Sequence, residues 1–222
     1  MKTAAAILPC LSVLVALGVI ASAAEGVRPI IDNERVRVWD VTWEKGKPAP
    51  IGQRDYDCVT VFLTEGRIRT TMANGTTTTV TRNAGDAFFD PKGSIAAEEG
   101  VSETPARAIV IEIKDHPVAP LPNHSGYPLA FPRPGIKKVL ENGRVITWDY
   151  RWQPGVPTPM HFHDKDVVVV YFQDGDLKST TPDGKSVVNK YAFGMAKFNR
   201  RDRVHTELLV NGSEHAVMTE LK

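Results

Sequence analysis

Two histidines, His161 and His163, stand one residue apart just before an unusually strand-like run, Val167-Val168-Val169-Val170-Tyr171-Phe172. On an extended strand, residues two apart project from the same face, so both imidazoles can converge on one metal ion. The run behind them is β-branched and aromatic on both faces, which predicts a buried strand, and Asp174-Gly175 after it predicts a turn. A metal site carried on a rigid sheet is one reading of this arrangement. The other is a histidine packed in the core beside one that is solvated.

The elements that must position these residues come in two copies. A constant offset brings Trp39-Asp40 onto Trp148-Asp149, Trp43 onto Trp152, Pro48 and Pro50 onto Pro157 and Pro159, and Asp55 and Asp57 onto Asp164 and Asp166. The same register holds at Gly75 and Gly184, Gly85 and Gly194, and Phe89 and Phe198. Rare residues in register without a gap identify a repeat, from about Val27 to Lys114 and from about Ile136 to Lys222. Between the copies, residues 115–135 carry prolines at 117, 120, 122, 128, 132 and 134, which exclude a helix or a central strand and predict a linker crossing the outside. Inside the first copy, short apolar runs at Val36 to Trp43, Val59 to Leu63, Ile68 to Met72, Ala87 to Phe89 and Ala108 to Ile113 predict strands. Asn74-Gly75 and Asp183-Gly184 are matching hairpin turns. Helical periodicity is absent, so each copy is expected to be a β-sandwich or small barrel.

Lys2 followed by the uncharged, apolar Ala4 to Ala23, closing on Ala21-Ser22-Ala23, has the form of a secretory signal peptide cut after Ala23. Export, to the periplasm or outside the cell, is therefore expected. Removing the leader takes Lys2 and Cys10, leaving 26 basic residues against 26 acidic ones. Near-zero charge argues against a nucleic-acid partner or a polybasic membrane surface. Cys58 alone remains, so no internal disulfide is available and the core must supply the stability.

With these features in place the chain resembles the cupin superfamily, whose jelly-roll barrel carries Gly-x5-His-x-His-x3-4-Glu-x6-Gly and then Gly-x5-Pro-x-Gly-x2-His-x3-Asn. Gly155, His161, His163 and Gly175 fall in register with the first signature, and Gly194 and His205 with the second. The first copy carries the Gly85 to Gly93 frame in full but reads Gly52, Arg54 and Ala96 at the ligand positions. The resemblance spans nearly the whole mature chain and implies an all-β protein of two tandem cupin-type jelly-roll barrels. It implies a metal site of His161, His163 and His205 in the second barrel and none in the first.

Three imidazoles suit a divalent transition metal, iron, manganese, nickel, copper or zinc, and leave coordination positions open. Occupancy is expected to fall as pH drops through the histidine range near ~6.5. The glutamate position of the signature is read as Val168, with Asp166 as a possible stand-in or a turn residue. Glu207, two residues beyond His205, shares its face and is the candidate general base or hydrogen-bonding partner, although Glu98 repeats it in the histidine-less copy. Arg200 and Arg203, in the loop before His205, are candidate substrate-binding residues for a carboxylate or phosphate. The four repeated tryptophans are read as core packing. The expected function is an exported metal-dependent enzyme, of oxygenase, isomerase or lyase type, acting on a small anionic molecule. The alternatives are a non-catalytic metal or small-ligand binding protein and a barrel pair that has lost its chemistry. Self-association into a homodimer stays open.

Overall fold

The computed structural model describes residues 28–222, and the leader assigned to residues 1–23 lies outside them. Among the described residues there are seventeen strands and no helix. The first half contains β1 (Ile31–Asp32), β2 (Val36–Trp43), β3 (Asp57–Phe62), β4 (Gly66–Met72), β5 (Thr77–Arg82), β6 (Ala87–Asp90), β7 (Ile95–Gly100) and β8 (Ala106–Ile113). The second contains β9 (Lys137–Glu141), β10 (Val145–Trp152), β11 (His161–His163), β12 (Val167–Tyr171), β13 (Gly175–Thr180), β14 (Ser186–Tyr191), β15 (Ala196–Asn199), β16 (Arg203–Gly212) and β17 (Glu214–Leu221).

Each half builds one large and one small sheet. The large sheets, β1-β2-β8-β3-β6 and β9-β10-β17-β12-β15, have the same order. The small sheets are β5-β4-β7 and β14-β13-β16-β11. They differ by one strand: β11, which carries the two histidines, has no counterpart at residues 52–54.

The large sheets are apolar on both faces because both faces are covered. One face of each lines its own barrel, where Val167, Val169 and Tyr171 of β12 meet Trp152, Leu177 and Leu209, and Val41 and Trp43 of β2 meet Cys58 and Ile68. The opposite faces meet each other: Val36, Val59 and Ile111 of the first half pack with Val145, Val168 and Val217 of the second. Burying each such side chain is worth about 1.5–3 kcal/mol relative to exposing it, so neither half could leave this face open without a large loss.

Two ion pairs related by the repeat cross this seam. Arg35 donates to Asp166 at 3.0 Å, and Arg144 lies 3.4 Å from Asp57. Asp166 also accepts the Arg201 amide and Asp57 the Lys92 amide, each at 2.9 Å. Both aspartates therefore hold the seam, and Asp166 is not free to swing toward the histidines.

The linker departs from the expected outside path. Its last stretch turns inward: Ala130, Phe131 and Arg133 are buried, and Leu129 forms an isolated bridge to Phe162 on β11. Proline content forbids regular structure here but does not decide where the intervening side chains point.

Candidate metal centre

β11 and β16 pair antiparallel with His161 opposite His205 and His163 opposite Arg203. The two histidines of β11 and the one on β16 thus share a face inside the second barrel. Nε2 of His163 lies 3.2 Å from Nε2 of His161 and 3.1 Å from Nε2 of His205. All three ligand atoms fall within 4.8 Å of one another.

The donor set fits a metal ion. Nitrogens bound at about 2.0–2.1 Å to one ion sit about 3.3 Å apart in a tetrahedron and about 3.0 Å apart at adjacent corners of an octahedron. The two spacings from His163 lie between these. The tautomer of His161 is set as well: Nδ1 is 2.8 Å from the Pro159 carbonyl, which can only accept, so Nδ1 carries the proton and Nε2 keeps its lone pair. Nδ1 of His205 is 3.2 Å from the Ser179 hydroxyl.

Burial holds the trio neutral. His161 is pushed down to about 4 by burial, against the opposing pull of Glu207. Burial also lowers His163 and His205, and the charge of Arg203 lowers both further. The pH at which protons displace a metal is therefore expected well below the ~6.5 of an ordinary histidine. Among the described residues no other group of three or more His, Cys, Asp or Glu side chains converges in this way.

At the corresponding place in the first barrel a permanent cation stands in for the site. Arg54 donates to Glu98 at 2.7 Å and to the Gly52 carbonyl at 2.7 Å. Gly52 and Ala96 offer no donor side chain, and the guanidinium has no lone pair to give.

The other candidate residues divide. Glu207 lines the same cavity as His163 and His205. Its Oε2 accepts from the Trp152 indole at 3.2 Å and lies 3.5 Å from Arg133 Nη1. Burial alone would raise its pKa, but the charge of Arg133 and the Trp152 hydrogen bond oppose this, and it lies below the usual carboxylate range. Such a carboxylate suits charge pairing better than accepting a proton near neutrality. Arg203 also lines the cavity, with its Nε donating to the Arg200 carbonyl at 2.7 Å. Arg200 does not reach it: its side chain is exposed and paired with Glu34 at 3.1 Å.

Val168 needs a correction. It is fully buried in the seam between the halves, facing away from the histidines, whereas Val167 and Val169 line the cavity. The glutamate position of the signature is therefore Val167, four residues after His163 rather than five. Trp152, read as packing only, is also a wall of the site.

Sequence reasoning missed Arg133, Lys197, Ser179 and Phe131. Arg133 comes from the linker and packs against Tyr150, its guanidinium carbon 4.2 Å from the ring centre. Phe131 meets His163 edge-on at 5.8 Å and stacks on Trp148. The available signal was a phenylalanine and an arginine interleaved with the prolines in Phe131-Pro132-Arg133-Pro134.

No family model matches the chain. Beta-alanine degradation protein BauB from Pseudomonas aeruginosa is 36% identical over 101 residues, which are 44% of this chain and 99% of that protein. Among solved structures, a cupin 2 conserved barrel domain protein from Leptotrichia buccalis has a TM-score of 0.53 at 14% identity, covering 87% of both chains. Protein Ylba from E. coli has a TM-score of 0.57 at 12% identity, covering 84% of this chain and 77% of its own. Oxalate decarboxylase from Bacillus subtilis, studied for its Mn(II) centres, has a TM-score of 0.58 at 11% identity, covering 86% of this chain and 69% of its own. At these identities the structural likeness is one of fold. Joined to the relative matched over almost its whole length and to the all-β halves built on one strand order, it shows that the chain belongs to the cupin superfamily.

Proposed function

We propose that this chain is an exported two-barrel protein whose second barrel holds one divalent transition metal on His161, His163 and His205 and acts on a small anionic molecule. The observation that carries the reading is the convergence of three buried, neutral imidazoles on one point, with Nε2 spacings of 3.1 and 3.2 Å. Iron, manganese, nickel, copper and zinc all accept such ligands. Manganese is the metal of the Bacillus subtilis decarboxylase neighbour. The bound ion would supply Lewis-acid polarisation or one-electron chemistry. The protein's own share is to fix three ligands, keep them unprotonated and present Arg133, Lys197 and Arg203 around the same cavity, against the one carboxylate Glu207. That charge balance favours an anion. The relative BauB is named for degradation of beta-alanine, a zwitterion that carries one carboxylate.

A specific observation also favours non-catalytic binding: Glu207 is engaged by Trp152 and Arg133, and Val167 stands where the family signature has its glutamate. Turnover or oxygen uptake with small carboxylates separates the two. Elemental analysis after matched metal loading tests the site itself. About one equivalent is expected in the wild type and in Arg54→Ala, and near none in His161→Ala and His205→Ala. Unchanged metal in both histidine variants would remove the trio as the site.

A further inference from the structure

We propose that Arg133, supplied by the linker and not by either repeat, is the specificity-determining residue of the second barrel's cavity and takes a carboxylate of the substrate. This rests on the reading of that cavity as the binding site. Arg133 is nine-tenths buried, 9% exposed, and lines the cavity together with His163, His205 and Glu207. Three aromatic rings surround its guanidinium carbon, with centroids 4.2 Å away for Tyr150, 5.2 Å for Phe131 and 5.6 Å for Trp152.

The edge is a different matter. Nη2 points at the Met218 sulfur at 3.8 Å, a weak acceptor, and Nε and Nη1 are buried without any hydrogen-bond partner. The charge has a neighbour in Glu207, but at 3.5 Å and without hydrogen-bond geometry. Buried guanidinium donors left unpaired are costly in the free protein, and that cost is relieved when a ligand brings acceptors. A planar fork of N–H groups matches a carboxylate specifically.

Two other cations line the cavity. Arg203 spends its Nε on a carbonyl, and Lys197 sits 5.5 Å over the Tyr191 ring. The cavity is small, about 60 Å³, room for a few water-sized groups at roughly 10–15 Å³ each. The ligand class is therefore a small carboxylate whose remaining atoms lie against the histidines.

The probes are acetate and its neutral isostere acetamide, with binding followed by NMR titration on the zinc-loaded full chain. Acetate is expected to bind and acetamide is not, and Arg133→Lys, which keeps the charge and loses the fork, should weaken acetate about tenfold or more while retaining zinc. Acetate binding unchanged in Arg133→Lys, equal binding of acetamide, or no acetate binding by the wild type would overturn the proposal. If Arg133→Lys does not fold, the double variant Arg133→Met/Glu207→Gln, which removes both charges of the pair, carries the same measurement. Metal-free His205→Ala provides the separation from the metal reading. Acetate binding there that still depends on Arg133 supports the carboxylate site even if the wild type takes up no metal, and loss of that dependence counts against it.

Discussion

Glu214 opens β17 opposite Trp152, 2% exposed, with neither carboxylate oxygen hydrogen-bonded. The matching residue facing Trp43 in the first barrel is Ala106, which has nothing to ionise. Burial pushes Glu214 up to about 8, and Asp174 adds to the shift. An ordinary glutamate titrates near ~4.3, and each pH unit of displacement is worth about 1.4 kcal/mol. The folded protein therefore holds this proton more tightly than the unfolded chain. The stability linked to it is fully present below about pH 4 and is lost as pH climbs to about 8, with a ceiling of about 5 kcal/mol. Glu214→Gln removes the linkage. Of that ceiling, about 4 kcal/mol falls between pH 5 and pH 9, so the variant should gain up to that much on the wild type over this interval. Urea unfolding reads this directly: at a slope of about 2 kcal/mol per molar, the two midpoints should separate by up to about 2 M between the two pH values. Other titrating groups are common to both proteins and cancel. A stability difference that stays the same at pH 5 and pH 9 would show that Glu214 is ionised in the fold and that its surroundings have been misjudged.

The seam pairs should differ in weight. Asp166→Asn leaves Arg35 buried with its charge uncompensated and should cost about 3–5 kcal/mol in urea unfolding, whereas Asp57→Asn, beside the more exposed Arg144, should cost about 1 kcal/mol or less. Equal losses would mean that the seam does not bury the Arg35 pair. At the chain's beginning, N-terminal sequencing of protein recovered from the soluble extracytoplasmic fraction should start near Ala24, and an intact leader there would end the proposal of export.

The histidine trio was legible because its residue types are rare and its spacing is imposed by a strand. His161 and His163 must share a face once they lie on β11, and the resemblance to the second cupin signature placed His205 across from them. The face of the next strand was not legible in the same way. Val168 was assigned from the signature, whose gap of three or four residues after the second histidine leaves Val167 and Val168 both in register, and only the packing shows that Val167 lines the cavity while Val168 belongs to the seam. The Thr-rich β5 gives no apolar alternation at all, because its side chains stay largely in solvent, and β7 carries only Ile95 and Gly100 as buried residues. The linker was the largest miss. Its backbone is irregular, as the prolines require, yet it delivers Phe131 and Arg133 into the barrel through tertiary contacts that local pattern does not encode.

The two barrels solve one electrostatic problem in two ways. Each carries a glutamate on the inward face of a small-sheet strand, Glu98 or Glu207, and a buried carboxylate needs a cation beside it. In the first barrel Arg54 supplies that cation from the place of His163, and its two terminal nitrogens are engaged by Glu98 and by backbone carbonyls. In the second, the cation comes from outside the repeat, as Arg133, and the vacated positions hold imidazoles with free lone pairs. Restoring one histidine would therefore not convert the first barrel into a metal site. Arg54→His alone would strip Glu98 of its partner, leave Gly52 and Ala96 without donors, and place the new imidazole on a segment that is not a strand and is not paired to β7 as β11 is to β16. Geometry and charge would both have to change together, which is why the three-histidine arrangement is confined to the half of the chain that also has the linker's arginine.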